Sequence, residues 1–178
     1  MCDIDDTVLS DLQRSVPEIG CIKADVSKSE EVDRLFDQAL DQMGGLDILI
    51  NNAGVAGPTK RFEDITPDEW DHTISVNVNG QFYCARRAVA PFVEAGGGVI
   101  VNFSSVAGRL PMPLRAPYST SKYAVRGFTD QAAHPAVMPD GRVVFVPRTA
   151  PGDRVSINVD RTKPRWVRGS VQELLEPG

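Results

Sequence analysis

The sequence Leu46-Asp47-Ile48-Leu49-Ile50-Asn51-Asn52-Ala53-Gly54 decides the fold. Its first five residues form a mostly apolar run of strand length, and the Asn and Gly residues that follow tolerate a positive φ. A helical pattern precedes it, in which Ser27 and Glu30 have the spacing of a capping box and an apolar stripe continues to Met43. The whole segment predicts a helix, a buried strand and a turn with small side chains, where backbone can approach a ligand.

The alternation of helix and strand patterns continues along the chain. Helices are predicted over residues 6–16, 27–43, from 66 and from 117, and strands over 20–25, 46–50 and 99–103. Strands that alternate with helices of ten or more residues form parallel β-α-β units with right-handed crossovers. The expected fold class is therefore α/β.

Composition excludes several classes of protein. The 178 residues are 42% hydrophobic and 24% charged, and they contain no apolar run near the roughly 18 residues that span a bilayer. The acidic N-terminus does not resemble a secretory signal, so we expect a cytoplasmic protein with no membrane segment. Three scattered cysteines and two histidines argue against a disulfide framework or a metal site.

Two short motifs indicate acid-base chemistry. Ser104 and Ser105 follow the predicted strand over residues 99–103, and open α/β sheets bind ligands at the carboxyl ends of their strands. Tyr118 lies 13 residues after Ser105 (118 − 105), and Lys122 lies one helical turn after Tyr118. A cation at that spacing favours the phenolate, which suits proton transfer to a carbonyl oxygen. The alternative for Tyr118 and Lys122 is a half-buried ring beside a solvated amine on an amphipathic helix.

In order and spacing, these motifs resemble the short-chain dehydrogenase/reductase family over about residues 2–132. The motifs that carry the resemblance are Asn51-Asn52-Ala53-Gly54, Asn77-Val78-Asn79-Gly80, Ser105, and Tyr118 with Lys122. The resemblance implies a Rossmann-like oxidoreductase that interconverts an alcohol and a carbonyl with a nicotinamide cofactor. It also implies that Tyr118 is the acid/base, that Ser105 binds the substrate oxygen, that Lys122 assists Tyr118 and holds the nicotinamide ribose, and that Asn77 supports a proton relay. The substrate would be a small alcohol or ketone, and the long helices that begin near Thr66 and Pro117 would pair in a homo-oligomer.

Further cofactor contacts follow from the same resemblance. Asn52, Ala53 and Gly54 would lie against the cofactor, and Asp25 with Val26 would contact adenine. Asp3 would bond the ribose hydroxyls, which favours NAD over NADP. The alternatives are that Asp25 only flanks the helix near Ser27 and that Asp3 lies in a frayed terminus.

The chain departs from the family at both ends. It contains no Gly-x-x-x-Gly-x-Gly, so the strand, turn and helix that cradle the pyrophosphate in family members are not recognisable. The first strand of the family is central in its sheet, so we expect a truncated Rossmann-like parallel sheet with two strand edges facing a gap. An inactive truncated or rearranged gene product is therefore an alternative to an active enzyme.

The C-terminal part has a different character. We place a boundary between a partial Rossmann-like domain, residues 1–132, and a divergent β-rich tail, residues 133–178. Residues 141–178 resemble part of a TRAM-type RNA-binding barrel and hold seven Lys and Arg against four Asp and Glu. RNA binding is one interpretation of this tail, and a solvated basic hairpin is the other; residues 141–147 are alternatively the sixth strand of the dehydrogenase fold. The residues that would contact RNA are Arg161, Lys163, Arg165, Trp166 and Arg168.

Overall fold

The computed structural model describes residues 1–131, 136–137, 143–145, 154–162 and 166–176. Helices and strands alternate from the N-terminus to residue 131, as the sequence predicts. The helices are α1 (Asp6–Ser15), α2 (Ser29–Met43), α3 (Pro67–Ile74), α4 (Gly80–Ala95) and α5 (Ala116–Gln131). The strands are β1 (Cys2–Asp3), β2 (Ile22–Lys23), β3 (Ile48–Asn51), β4 (Val99–Asn102), β5 (Ala136–Val137), β6 (Val143–Phe145), β7 (Arg154–Thr162) and β8 (Trp166–Glu176).

The chain divides into two compact units, residues 1–126 and 127–178. In the first unit β1 pairs with β2 and β3 pairs with β4, both in parallel. These are separate two-stranded sheets, and no described strand lies between them. Parallel strands flanked by helices confirm the predicted fold class.

One helical layer covers both small sheets. Side chains of α2 and α4 form a single apolar cluster with Ala24, and strand residues Ile22, Leu49 and Ile100 pack against it. Cys84 of α4 belongs to this cluster, and burial, with a smaller contribution from Cys2, raises the pKa of its thiol to about 12. The thiol is therefore a packing group, as the sequence indicates.

Alternation along β3 and β4 leaves the opposite face of their sheet uncovered. Leu49 and Ile100 point into the core, whereas Ile48, Ile50 and Val99 are more than half exposed. Since parallel sheets are normally covered on both faces, these side chains form an exposed apolar surface on the first unit.

Local sequence signals explain where most helices begin and end. Thr66 and Glu69 form a complete capping box on α3, with Pro67 in its first turn. The predicted capping box of α2 was wrong, because the helix begins at Ser29 and its N-cap Lys28 makes no side-chain cap bond. The side chain of Glu31 instead accepts a hydrogen bond from the backbone N–H of Asp25.

The second unit is β-rich, as predicted. Its four strands lie in the order β5-β6-β8-β7, and β6 pairs with β5 and β8 of this sheet. Residues 163–165, which include two of the predicted RNA contacts, lie outside the described residues. The division predicted at residue 132 and the TRAM-type resemblance stay predictions.

Among the helices that the structure describes, none has the length and apolar character needed to cross a bilayer. The same described residues contain no group of three or more His, Cys, Asp or Glu side chains positioned to hold a metal ion.

Candidate active site

Asn77 holds together three parts of the site. It lies in a π-helical segment, Ser75–Asn79, between α3 and α4, and is completely buried. Its amide accepts a hydrogen bond from the backbone N–H of Val55 at 2.7 Å and donates to the carbonyl of Val55 at 2.9 Å. It also donates to Ser121 Oγ of α5 at 3.0 Å. The loop after β3 is therefore fixed to two helices through one side chain.

The turn that follows β3 is shaped by this amide. A Cβ atom at Gly54 would lie 3.2 Å from Asn77 Oδ1, so a larger side chain would press on the buried network. Asn52, Ala53 and Gly54 are exposed, so their backbone is open to a bound molecule. This agrees with the turn of small side chains that the sequence predicts.

Lys122 lies buried at the carboxyl end of β4. Its Nζ donates to the carbonyl of Phe103, the residue after β4, at 2.8 Å, and lies 5.7 Å from the centre of the Tyr118 ring. Only 6% of the residue is exposed, and no described carboxylate forms an ion pair with it. Buried charges are normally paired, so an unpaired buried ammonium suggests that its remaining donors serve a ligand.

The segment that carries the two serines is bonded to α5. Ser104 Oγ donates to the carbonyl of Lys122 at 2.8 Å. Ser105 caps a short 3₁₀ turn, Val106–Gly108, and its Oγ accepts from the N–H of Ala107 at 3.2 Å. A Cβ atom at Gly108 would lie 2.6 Å from the carbonyl oxygen of Lys122, so the turn contacts the helix backbone directly. The predicted residues Ser105 and Lys122 are thus brought to the same end of β4.

Tyr118 is half-buried in the first turn of α5. Two cations lie near its ring. The guanidinium carbon of Arg115 is 5.4 Å from the ring centre, and Lys122 Nζ is 5.7 Å from it. Ser121 Oγ donates to the Tyr118 carbonyl at 2.7 Å and so connects this turn to Asn77. Arg115 and Ser121 belong to none of the sequence motifs described above. Their spacing of three residues on either side of Tyr118 is the signal that could have found them.

The residues predicted to hold adenine and ribose occupy local turns. Asp25 Oδ1 accepts from Ser27 N–H at 3.0 Å and Ser27 Oγ–H at 2.7 Å, and Asp25 is also paired with Lys28. Burial on its own would raise the pKa of Asp25, but the bonds from Ser27 and the charge of Lys28 outweigh it and lower the pKa. Val26 packs against Gly80, and a Cβ atom added at Gly80 would lie 2.9 Å from Val26 Cγ2.

Asp3 lies in β1, opposite Lys23 of β2 in the parallel strand pair, so this terminus is not frayed. Its Oδ1 accepts the backbone N–H of Asp5 at 3.0 Å, at the entry to α1. Asp3 is thus the last residue of β1 and Asp25 lies two residues after β2, and each carboxylate accepts a hydrogen bond from a residue two positions later in the chain.

Comparison with known proteins identifies the family. The model of the short chain dehydrogenase family matches residues 4–156. This chain belongs to that family. The match runs beyond residue 132, where the sequence analysis ended the resemblance.

Several dehydrogenases are similar to this family member in sequence. It is 41% identical to a 3beta-hydroxysteroid dehydrogenase of Mediterraneibacter gnavus over 63% of this chain and 40% of that protein. It is 37% identical to 3beta-hydroxysteroid dehydrogenase 1 of Eggerthella lenta over 93% of this chain and 64% of that protein. The chain thus spans about two fifths to two thirds of the length of these relatives.

Solved structures of the same family have a similar fold. A metagenomic short-chain oxidoreductase in complex with NADP superposes with a TM-score of 0.70 at 29% identity, covering 74% of this chain and 62% of that one. NAD+-bound xylitol dehydrogenase superposes with a TM-score of 0.70 at 28% identity, covering 82% and 58%. The neighbours of this short-chain dehydrogenase therefore include complexes with both dinucleotides.

Proposed function

We propose that this chain carries the catalytic residues of an oxidoreductase that interconverts an alcohol and a carbonyl by hydride transfer with a nicotinamide cofactor. The observation that carries the proposal is the buried, carboxylate-free ammonium of Lys122, 5.7 Å from the Tyr118 ring and bonded at the carboxyl end of β4. Ser105 lies two residues after the carbonyl that accepts this bond. Membership of the short-chain dehydrogenase family supports the same chemistry.

The residues present fit the nicotinamide and ribose end of such a cofactor. Asn52, Ala53 and Gly54 form an open backbone surface after β3, and Gly54 has no side chain to obstruct it. The remaining N–H donors of Lys122 suit the hydroxyls of the ribose. When bound there, the dinucleotide supplies or accepts the hydride, and the protein contributes position and electrostatics.

At the adenine end we propose Asp25, Val26 and Asp3. Asp3 Oδ2 is available, because the hydrogen bond from Asp5 goes to Oδ1, and Asp25 Oδ2 is the oxygen that Ser27 does not bond and that lies 3.4 Å from Lys28 Nζ. Asp3 would accept from ribose hydroxyls and repel a 2′-phosphate, which favours NAD over NADP. The carboxylate of Asp25 is held ionised by its neighbours and can accept from the exocyclic amine of adenine.

The proton is handled by side chains at the end of β4. For reduction of a carbonyl, Tyr118 donates the phenolic proton to the substrate oxygen, and Ser105 Oγ–H donates a hydrogen bond to the same oxygen. The ammonium of Lys122 stabilises the phenolate that is left. In the reverse direction the phenolate removes the proton of the alcohol.

Asn77 acts in this proposal through position. Its side chain is engaged with Val55 and Ser121, so it fixes the turn after β3 relative to the helix that carries Tyr118. Asn77 would support a proton relay by holding Ser121, whose hydroxyl accepts from Asn77 and donates to the Tyr118 carbonyl, and so by fixing the turn that carries Tyr118.

Apolar side chains on the long helices support a homo-oligomer. Phe82, Val89 and Val93 of α4 and Tyr123 of α5 are each about half exposed or more. Burial of this surface against a second copy would remove it from water. Sedimentation velocity of the full chain and of Val93→Glu tests this, since a dimer should dissociate in the variant and a monomer should not change.

The catalytic proposal is tested with the full chain and two variants. Titration with NADH and with NADPH, followed by nucleotide fluorescence, should show saturable binding with a lower Kd for NADH. Tyr118→Phe should retain binding and lose about 10²- to 10⁴-fold in turnover of a ketone panel. Tyr123→Phe changes a tyrosine on the exposed face of the same helix and should retain turnover.

Absence of binding up to millimolar nucleotide, with a cooperative melt showing that the chain is folded, would support the inactive gene product instead.

A further inference from the structure

The guanidinium of Arg115, close to the candidate active site, has only part of its hydrogen-bonding capacity satisfied. Its Nη1 donates to Thr59 Oγ1, while its Nε is buried without a hydrogen-bond partner. None of the ion pairs among the described residues includes Arg115. A buried donor without an acceptor costs about 1–3 kcal/mol, so this arrangement is stabilised by whatever anion reaches it.

The carboxylate of Glu69, which contacts the residue after Thr59, is already in use. Glu69 pairs with Lys60 and accepts the backbone N–H of Thr66, and these two bonds, in that order, lower its pKa. Lys60 follows Thr59 on the same loop, and its N–H donates to the carbonyl of Leu114 at 3.0 Å. The loop that carries Thr59 and Lys60 thus contacts the loop that ends at Arg115. Lys60 has a carboxylate partner, and Arg115 has none among the described residues.

A second unpaired polar group lies on the same side of α5. Ser119 is four residues after Arg115, its N–H donates to the Arg115 carbonyl at 2.9 Å, and the two side chains therefore share a face. Ser119 Oγ is buried without a hydrogen-bond partner. A carboxylate can accept from both groups, and its bond to a guanidinium is stronger than that of a neutral acceptor.

The position of Arg115 relates this site to the reacting centre. Its guanidinium carbon lies 5.4 Å from the ring centre of Tyr118, whose hydroxyl we assign to the substrate oxygen. The loop that leads to it exposes Leu110, Met112 and Leu114, which offer an apolar surface beside the charge. A molecule that fits both has an apolar body and an anionic group close to its alcohol or carbonyl.

We propose that Arg115 is a specificity-determining residue that binds a carboxylate of the substrate, so that the site takes apolar hydroxy and oxo carboxylates. This rests on the proposed function, since it assigns the substrate class of the same site. Arginine binds carboxylates through two parallel N–H bonds, which fixes orientation as well as charge. The substrate carboxylate thereby aligns the reacting carbon with Tyr118.

The experiment compares 3-hydroxyoctanoate with its methyl ester in the full chain. Wild type should prefer the acid, and Arg115→Met should lower the ratio of kcat/KM for acid to ester by about 10- to 100-fold, the value of a charge-assisted pair. Arg115→Lys should recover part of the acid-to-ester ratio, because lysine restores the positive charge but not the two parallel N–H bonds of the guanidinium. Arg109→Met, an exposed arginine on the same loop, is the matched control and should keep the ratio. Thermal melts check that each variant is folded.

A binding measurement separates this proposal from the catalytic one. Saturation-transfer NMR with Tyr118→Phe should show 3-hydroxyoctanoate bound, and the signal should disappear in Tyr118→Phe with Arg115→Met. Acid binding that depends on Arg115 without turnover in wild type would contradict the catalytic proposal and keep this one. Turnover with an acid-to-ester ratio that Arg115→Met and Arg115→Lys both leave unchanged would overturn this one and keep the catalytic proposal. Neither turnover nor binding would overturn both.

Discussion

The two small sheets of the first unit end in different ways. At the end of β3 and β4, the buried side chains of Asn77 and Lys122 reach residues 22 and 19 positions away in sequence. At the end of β1 and β2, Asp3 and Asp25 accept hydrogen bonds from residues only two positions further along. The proposed catalytic end is thus built by tertiary contacts, and the proposed adenine end by local turns. Loss of the hydrogen bonds of Asn77 should therefore lower the free energy of unfolding more than loss of the hydrogen bonds of Asp25.

The largest expected effect is on turnover when Lys122 is changed. Lys122→Met should lower kcat by about 100-fold or more, because the ammonium that stabilises the phenolate is lost. The unfolding free energy should change by less than about 1 kcal/mol, since removing a buried charge also removes its desolvation cost. Steady-state kinetics and urea unfolding measure the two quantities. Lys23→Met, at an exposed lysine of β2, is the control and should alter turnover little.

The comparison of the two ends is sharpest in the stability of Asn77→Ala and Asp25→Ala. Asn77→Ala leaves both backbone groups of Val55 without their partner and should cost about 3 kcal/mol. Asp25→Ala removes a turn cap and should cost about 1 kcal/mol. Urea unfolding of both variants measures this. Equal losses of unfolding free energy in the two variants would show that the catalytic end depends no more on tertiary contacts than the adenine end does.

A glycine pair tests how tightly the serine turn contacts α5. Gly108→Ala should cost about 1–3 kcal/mol, because its Cβ would lie 2.6 Å from a backbone carbonyl that cannot move away cheaply. Gly97→Ala has no atom within 4 Å of the added Cβ, so its thermal unfolding temperature should stay close to that of wild type. If Gly108→Ala left the stability unchanged, the turn Val106–Gly108 would be able to move away from α5.

The smallest expected effect concerns pH at the adenine end. The pKa of Asp25 is lower in the folded chain than its ordinary value of 3.8. Its contribution to stability is therefore fully present above pH 3.8 and is lost as the pH falls through the folded value. Asp25→Asn should reduce the loss of thermal stability between pH 6 and pH 3, measured by circular dichroism. An unchanged pH dependence would show that the bonds from Ser27 do not favour the charged carboxylate.

Much of the fold could be predicted because it follows from local patterns. The α/β class, the capping box of α3 and the strands before Asn51 and Ser104 depend on periodicity and on residues within a few positions of each other. The start of α2 could not be predicted, because Ser27 Oγ donates to Asp25 instead of forming the capping box with Glu30, and the helix begins at Ser29. Spacing alone does not show that the side chain of Glu31 accepts from the backbone of Asp25.

The candidate site shows the same division. The sequence by itself determined which residues are candidates for the chemistry, since Ser105, Tyr118 and Lys122 are recognisable from residue type and spacing. Only the tertiary structure decided that Lys122 is buried without a carboxylate, that the amide of Asn77 holds Val55 and Ser121, and that Arg115 lies over Tyr118. The physical reason is that burial and charge pairing depend on residues far apart in the chain, which periodicity does not report.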